Sequence, residues 1–275
     1  MCVMRRQTSV DCYDPAWLAM TKRNGLGHWS GASLMGATLV LILPVVVAPA
    51  TATAAGPRAV VELFTSQGCS SCPAADKIVG ELASDPSVIA LSLPIDYWDY
   101  LGWKDTLADS RFTARQRAYS AKRGDREVYT PQVVVNGQAQ VVGNDRAQID
   151  HAISDTATTP GVMSVPVSVI REGKELKVSV PAAKDGASGE VWICSIARAV
   201  PIVIGKGENR GREITYHNVV RSWLKVGDWT GKAGRWTVPL ENLTSNGVDA
   251  AVVYVQDGNR DQPGPMLGAA LTTLQ

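Results

Sequence analysis

A chain of 275 residues, 45% of them hydrophobic, is long enough for two modest domains with buried cores. Lys and Arg number 27 against 26 Asp and Glu, a net charge of +1, so the basic footprint of a nucleic-acid binder is excluded. The cysteines number five, too few for a disulfide-dense scaffold of this length.

Residues 1–19 are polar and irregular and read as a non-native extension, with translation starting at Met20. Lys22 and Arg23 then precede the uncharged run "LMGATLVLILPVVVAPA" and the small-residue stretch "TATAA". A basic flank, an apolar core and an A-x-A site are the parts of a secretory signal, here 20–54, with Ala52-Thr53-Ala54 as the cleavage site. The run is almost long enough for an uncleaved membrane anchor, but Pro44 and the small-residue ending favour cleavage. The expected location is periplasmic or secreted, with membrane contact only through an uncleaved signal. Cleavage removes Cys2 and Cys12 and leaves Cys69, Cys72 and Cys194 in an oxidising compartment, where a close pair is expected to form a disulfide.

The mature chain opens with "RAVVELFTS", 58–66, a short apolar strand. "CPAADKIVGELASD", 72–85, has helical spacing at Ile78, Val79 and Leu82, and Pro73 suits a first turn. "SVIALSLPID", 87–96, is a second strand, parallel to the first because a helix connects them. A polar helix over 109–124 ends at Gly124. "PQVVVNGQAQVVG", 131–143, is a hairpin turning at Asn136-Gly137. A last helix spans 144–156, and "TATTPG", 156–161, reads as a linker. From 162 onward the pattern alternates apolar and polar in six or seven short segments, with a turn at Glu172-Gly173, which predicts an antiparallel β-sandwich over 162–275.

Cys69 and Cys72 fall between the first strand and the helix. The free N–H groups and dipole of a helix N-terminus stabilise a thiolate, so Cys69, the more exposed, reads as the nucleophile and Cys72 as the resolving thiol. The spacing alone is equally that of two metal ligands or a structural clip. Thr130-Pro131 opens the third strand; if that strand runs antiparallel to the first, Pro131 lies against Cys69, and a cis peptide there would offer the Thr130 backbone to an extended thiol substrate. Glu62 is a charged residue in an apolar strand and a candidate proton acceptor for Cys72. Its alternatives are a pairing with a lysine such as Lys77, or a place at a solvent-facing edge. Tyr97, Trp98 and Trp103, in "IDYWDYLGWKD", follow the second strand and should rim the cysteine site, either to bind a peptide or to seal the core.

"VVELFTSQGCSSCP" followed by "YTPQVVVNG" resembles the thioredoxin superfamily in its minimal, glutaredoxin-like form, over roughly 58–157. With "IDYWDYLGWKD" and "GENRGREITYHNVVRSW" the chain is similar to a family of secreted bacterial thioredoxin-like proteins of unknown function. The resemblance implies an α/β thioredoxin-like domain over 55–158, Cys69 as attacking thiol, Cys72 as resolving thiol and Pro131 as a cis-proline. The implied function is thiol–disulfide exchange on a protein or peptide thiol, with an unspecified redox partner and no cofactor.

Zinc wants four ligands, and past the signal only His151 and His217 are added to the thiols. Cu(I) can be held by two thiolates, so a copper chaperone is one alternative. A non-catalytic binding module on the same scaffold is the other. "GKGENRG", 205–211, lacks the Lys-Ser/Thr ending of a phosphate loop and reads as a hairpin loop. Cys194 reads as a buried small hydrophobe, and His217 as a structural partner within a strand.

Overall fold

Every residue of "AVVELFT" is buried, because both faces of strand β1 (Ala59–Thr65) are covered. The computed structural model describes residues 56–183, 186–245 and 247–274. The expected signal segment 20–54 and the extension before it lie outside the described residues.

From β1 the chain passes through helix α1 (Cys72–Leu82) to β2 (Val88–Pro94), which pairs with β1 in parallel, Ala59 opposite Val88 and Thr65 opposite Pro94. α1 stops short of the expected residue 85 because Asp85 forms a turn of its own, its Oδ1 accepting from the Ser87 amide at 2.8 Å and hydroxyl at 2.7 Å. Helix α2 (Ser110–Arg123) is capped by the Asp109 side chain and closed by Gly124 at φ 86°, a left-handed position suited to glycine. Strand β3 (Gln132–Val135) runs antiparallel to β1 and turns into β4 (Ala139–Val142) through Asn136 and Gly137, at φ 51° and 69°. Helix α3 (Arg146–Ala157) follows.

The remaining strands are β5 (Ser168–Glu172), β6 (Glu175–Val180), β7 (Gly189–Val203), β8 (Glu213–Trp229), β9 (Gly234–Pro239), β10 (Ala250–Asn259) and β11 (Gln262–Thr273). β5, β6 and β9 form a three-stranded sheet; the others join the first four strands in an eight-stranded sheet ordered β11-β10-β7-β8-β2-β1-β3-β4. The prediction of a separate sandwich of short strands after residue 162 is therefore corrected. β7 and β8 are 15 and 17 residues long, and β8 lies along β2, so the described residues from both halves belong to one compact unit. An unpaired β2 would be an open edge, which folded proteins cover. The junction has one ladder pair, Ser92 with Val219, and side chains complete it. Ser92 Oγ donates to the His217 carbonyl and Asn218 Nδ2 to the Ala90 carbonyl, each at 2.8 Å.

Alternation divides the core between the two sheet faces. Val60, Phe64, Trp192, Cys194, Ile196, Val252 and Tyr254 pack with Phe112 and Tyr119 of α2 on one face. On the other, Ala59, Val61 and Leu63 pack under α1 and α3, while Val191, Ile193, Val253 and Val255 pack against the small sheet. α1 also touches β8 closely. A Cβ at Gly80 would lie 2.7 Å from the His217 ring, so the approach requires glycine there.

Candidate functional site

Cys72 is the first residue of α1 and Cys69 stands in the turn before it; their Cα atoms are 5.4 Å apart and the two form a disulfide. Pro73 follows at a position where no helical N–H partner is needed. Cys69 Sγ lies 3.4 Å from Ser71 Oγ. Cys69 is the more accessible of the pair, as expected, but both are buried: 2% against 0% for Cys72. The loop "GKGENRG" between β7 and β8 docks on the backbone of the cysteine turn. Asn209, itself buried, donates its side-chain amide to the Gln67 carbonyl at 3.0 Å and the Cys69 carbonyl at 2.8 Å.

The segment after β2 closes the other side, as the parallel pairing of β1 and β2 dictates. Trp103 Nε1 donates to Gln67 Oε1 at 2.8 Å, and its ring fills the space where a Cβ on Gly205 would fall, 2.9 Å away. The Cβ of Trp98 lies beside Gly68, and its Nε1 donates to Thr130 Oγ1 at 2.7 Å. Tyr97 and Trp98 are partly buried against the α2-face core, whereas Tyr100, in the short 3-10 turn Asp99–Leu101, is 78% exposed. The structure thus brings Trp98 and Trp103, both partly buried, against the cysteine turn, and the exposed aromatic of this segment is Tyr100. Asp96 accepts from Thr113 Oγ1 at 2.6 Å and Asp99 from the Asp105 amide at 3.0 Å, so both fix the segment locally.

The Thr130–Pro131 peptide is cis. Phe64 pairs with Gln132, so one step along the ladder Pro131 stands beside Thr65, at the end of β1 that leads into the cysteine turn. A Cβ on Gly143 would lie 3.0 Å from side-chain atoms of both Leu63 and Pro131, which sets Pro131 on the α1 face of the sheet.

Glu62 is elsewhere. Leu63 and Thr65 point toward α1, so by the period of two Glu62 points to the opposite face. There Arg115 of α2 grips it, Nε to Oε1 at 2.6 Å and Nη2 to Oε2 at 3.0 Å, and Tyr119 donates to Oε2 at 2.6 Å. Lys77 is not its partner, and its expected role as proton acceptor for Cys72 is corrected on this geometry.

The acid on the cysteine side is Asp76. It stands four residues after Cys72, hence on the same face of α1. Asp76 is 1% exposed; Oδ1 accepts from Thr65 Oγ1 at 2.8 Å and Oδ2 has no partner among the described residues. Burial pushes its carboxyl up to about 8; the Thr65 hydrogen bond restrains the rise and the Asp105 charge adds to it. Asp105 is buried across the turn, accepting from the Gln67 and Leu107 amides at 2.8 Å each, and burial raises its carboxyl as well. Tyr216, brought in by β8, is buried, and burial followed by the charges of Asp76 and Asp105 holds its hydroxyl in the neutral form. Tyr216 Oη and Asn209 Oδ1 likewise lack partners among the described residues.

Sequence reasoning missed Asp76, Asp105, Tyr216 and Asn209. Asp76 carried a signal: it interrupts the apolar stripe Cys72, Ala75, Val79, where an acid is out of place. Asn209 and Tyr216 carried none, because only the fold-back of β8 brings them to the cysteines. Cys194 is buried in the α2-face core, and burial pushes its thiol up to about 12, so it is inert. His217 takes the structural place expected of it, in β8 against α1.

The model of a family of proteins of unknown function, DUF1223, matches residues 60–256. No curated protein matches the sequence. The crystal structure of a protein from Agrobacterium tumefaciens is 30% identical, covers 78% of this chain and 94% of its own, and superposes with a TM-score of 0.71. A hypothetical protein from Pyrococcus horikoshii, 11% identical over 42% of this chain and 91% of its own, has a TM-score of 0.19, too low to carry an argument.

Proposed function

The chain belongs to the DUF1223 family of proteins of unknown function, and from that premise we propose that it is an exported thiol–disulfide oxidoreductase on a thioredoxin-like scaffold. One observation carries the reading: a disulfide at a helix N-terminus, with a buried acid one helical turn after Cys72 that has an oxygen without a partner among the described residues. The parallel β1-α1-β2 unit, the antiparallel β3-β4 hairpin and Pro131 beside Thr65 support the scaffold. Export rests on the signal-like segment 20–54.

In the proposed reaction a substrate thiolate attacks Cys69 Sγ, the Sγ–Sγ bond breaks, and Cys72 leaves as a thiolate. Asp76, protonated below about pH 8, supplies the proton that Cys72 takes up. A second substrate thiolate then attacks the substrate sulfur of the mixed disulfide and releases Cys69; the substrate is oxidised and the protein reduced to a dithiol. The reverse sequence reduces a substrate, with Asp76 accepting the proton of Cys72.

A second reading, a fixed clip in a binding scaffold, draws on the burial of Cys69 beneath Asn209. Equilibration in glutathione redox buffers, with alkylation of the free thiols, separates the two. The expected reduction potential lies between about −120 mV, typical of a strong oxidant, and about −270 mV, that of thioredoxin, and Cys69→Ser abolishes the transition. A potential below about −300 mV would establish the clip and end the enzymatic reading.

A further inference from the structure

β10 pairs with β7 only from Glu190 to Ile196. Beyond that point, among the described residues, the far ends of β7 and β8 pair only with each other, from Ala199 opposite His217 to Val203 opposite Glu213, and form a two-stranded arm. The tip is tied across its own base, the Gly211 amide donating to the Ile204 carbonyl at 2.7 Å. At its base the arm is held by the Ser92 hydroxyl donating to the His217 carbonyl and by the His217 ring against Gly80 of α1. Toward the tip, Leu107 packs with Tyr216, Trp103 lies under Gly205, and the Asn209 side chain donates to the Gln67 and Cys69 carbonyls. The outer side of the tip, Lys206, Glu208, Arg210 and Arg212, is exposed. With no third strand paired to it among the described residues, the arm is held to the rest of the protein by side-chain contacts rather than by a ladder, which makes it easier to open than the paired sheet.

An exchange reaction needs the incoming sulfur to reach Cys69 along the line of the disulfide, and with the arm docked on the cysteine turn Cys69 is 2% accessible. Resting on the exchange reading above, we propose that the β7–β8 arm, latched by Asn209, decides which thiols reach Cys69. Slender low-molecular-mass thiols are the substrate class of the closed form. A cysteine on a folded protein reacts only after the arm lifts. Asn209 is a specificity-determining residue whose side-chain amide holds the backbone of the cysteine turn and takes no part in the bond exchange.

The test compares the rate of reduction of the oxidised protein by dithiothreitol with that by reduced thioredoxin, kept reduced by its reductase and NADPH. In the unaltered protein the dithiothreitol rate rises linearly with concentration, whereas the thioredoxin rate levels off at the opening rate of the arm. Asn209→Ala, or Asn209→Ser should the alanine variant fail to fold, raises the thioredoxin rate about tenfold or more and the dithiothreitol rate less than threefold. A linear rise with both reductants, an equal gain with both, or no gain with thioredoxin in either variant overturns the proposal. The reduction potential judges the exchange reading separately, because it is an equilibrium quantity and these are rates.

Discussion

Arg115→Ala is expected to destabilise the protein by about 3–5 kcal/mol, the cost of leaving a buried carboxylate without its counter-ion. The Arg115 and Glu62 side chains are 1% and 2% exposed. The guanidinium also donates to Gln256 Oε1 at 3.0 Å and lies over the Trp223 ring, 4.7 Å from its centroid. One cation therefore ties α2 to β1, β8 and β10, and its removal orphans acceptors in two strands, Glu62 of β1 and Gln256 of β10. Urea unfolding followed by circular dichroism reads the loss. Replacing both partners, Glu62→Leu with Arg115→Met, is expected to recover much of it, since two apolar side chains leave no charge unpaired. Glu62→Gln makes the companion measurement. It should lower stability while changing the rate of disulfide reduction in the folded protein less than twofold. A tenfold slower reduction in folded Glu62→Gln would return Glu62 to the catalytic machinery and contradict the placement on the α2 face.

Asp76→Asn is expected to flatten the pH dependence of stability and to slow opening of the disulfide. The folded carboxyl sits at about 8 against an ordinary value of 3.8. Between those values the folded state holds a proton that the unfolded state has released, so stability falls as pH rises through this window and levels off above it. Each unit is worth about 1.4 kcal/mol. The oxidised protein should thus lose several kcal/mol between pH 4 and pH 8, on the order of 10 °C in Tm for a chain of this length. Asparagine keeps the acceptor for Thr65 and carries no charge, so the variant should match the wild type near pH 4 and melt well above it at pH 8. A wild-type Tm that does not fall across that range would place Asp76 in an ordinary carboxylate environment. The kinetic arm follows the same group. At pH 7 the variant should open its disulfide to dithiothreitol about 100-fold more slowly, the lower end of what a positioned acid contributes. The wild-type rate, corrected for the fraction of attacking thiolate, should drop above pH 8 as Asp76 loses its proton. An unchanged rate and profile in Asp76→Asn would show that solvent supplies the proton.

Much of the architecture was legible in the sequence because its signals are local. The periods of "RAVVELFTS" and "CPAADKIVGEL", the Asn136-Gly137 turn and the alternating segments after 162 each report a short stretch of backbone settling by its own propensity and burial, and each became the element expected. The cysteine pair was legible as well, since a strand ending at Thr65 and a helix starting at Cys72 leave it nowhere but the junction.

Asp76 carried a signal in its helical spacing from Cys72, but that Glu62 turns away from the pair was beyond sequence reasoning. Glu62 and Thr65 differ by an odd number of positions, so one regular strand sends them to opposite faces, and only the packing of α1 and α2 says which face holds the cysteines. The joining of the two halves was hidden for a related reason. The pairing of β2 with β8 links residues 125 apart, through Ser92 and the carbonyl of His217, and no local pattern encodes a partner at that distance. Local residue patterns were enough for the elements, the turn chemistry and the placement of Cys69 and Cys72 at a helix start. The folded chain alone shows that β8 covers the edge of β2, bringing Asn209 onto the cysteine turn and Tyr216 toward Asp76 and Asp105. The reason is that an open strand edge must be covered, and the chain that covers it brings its neighbouring loop along.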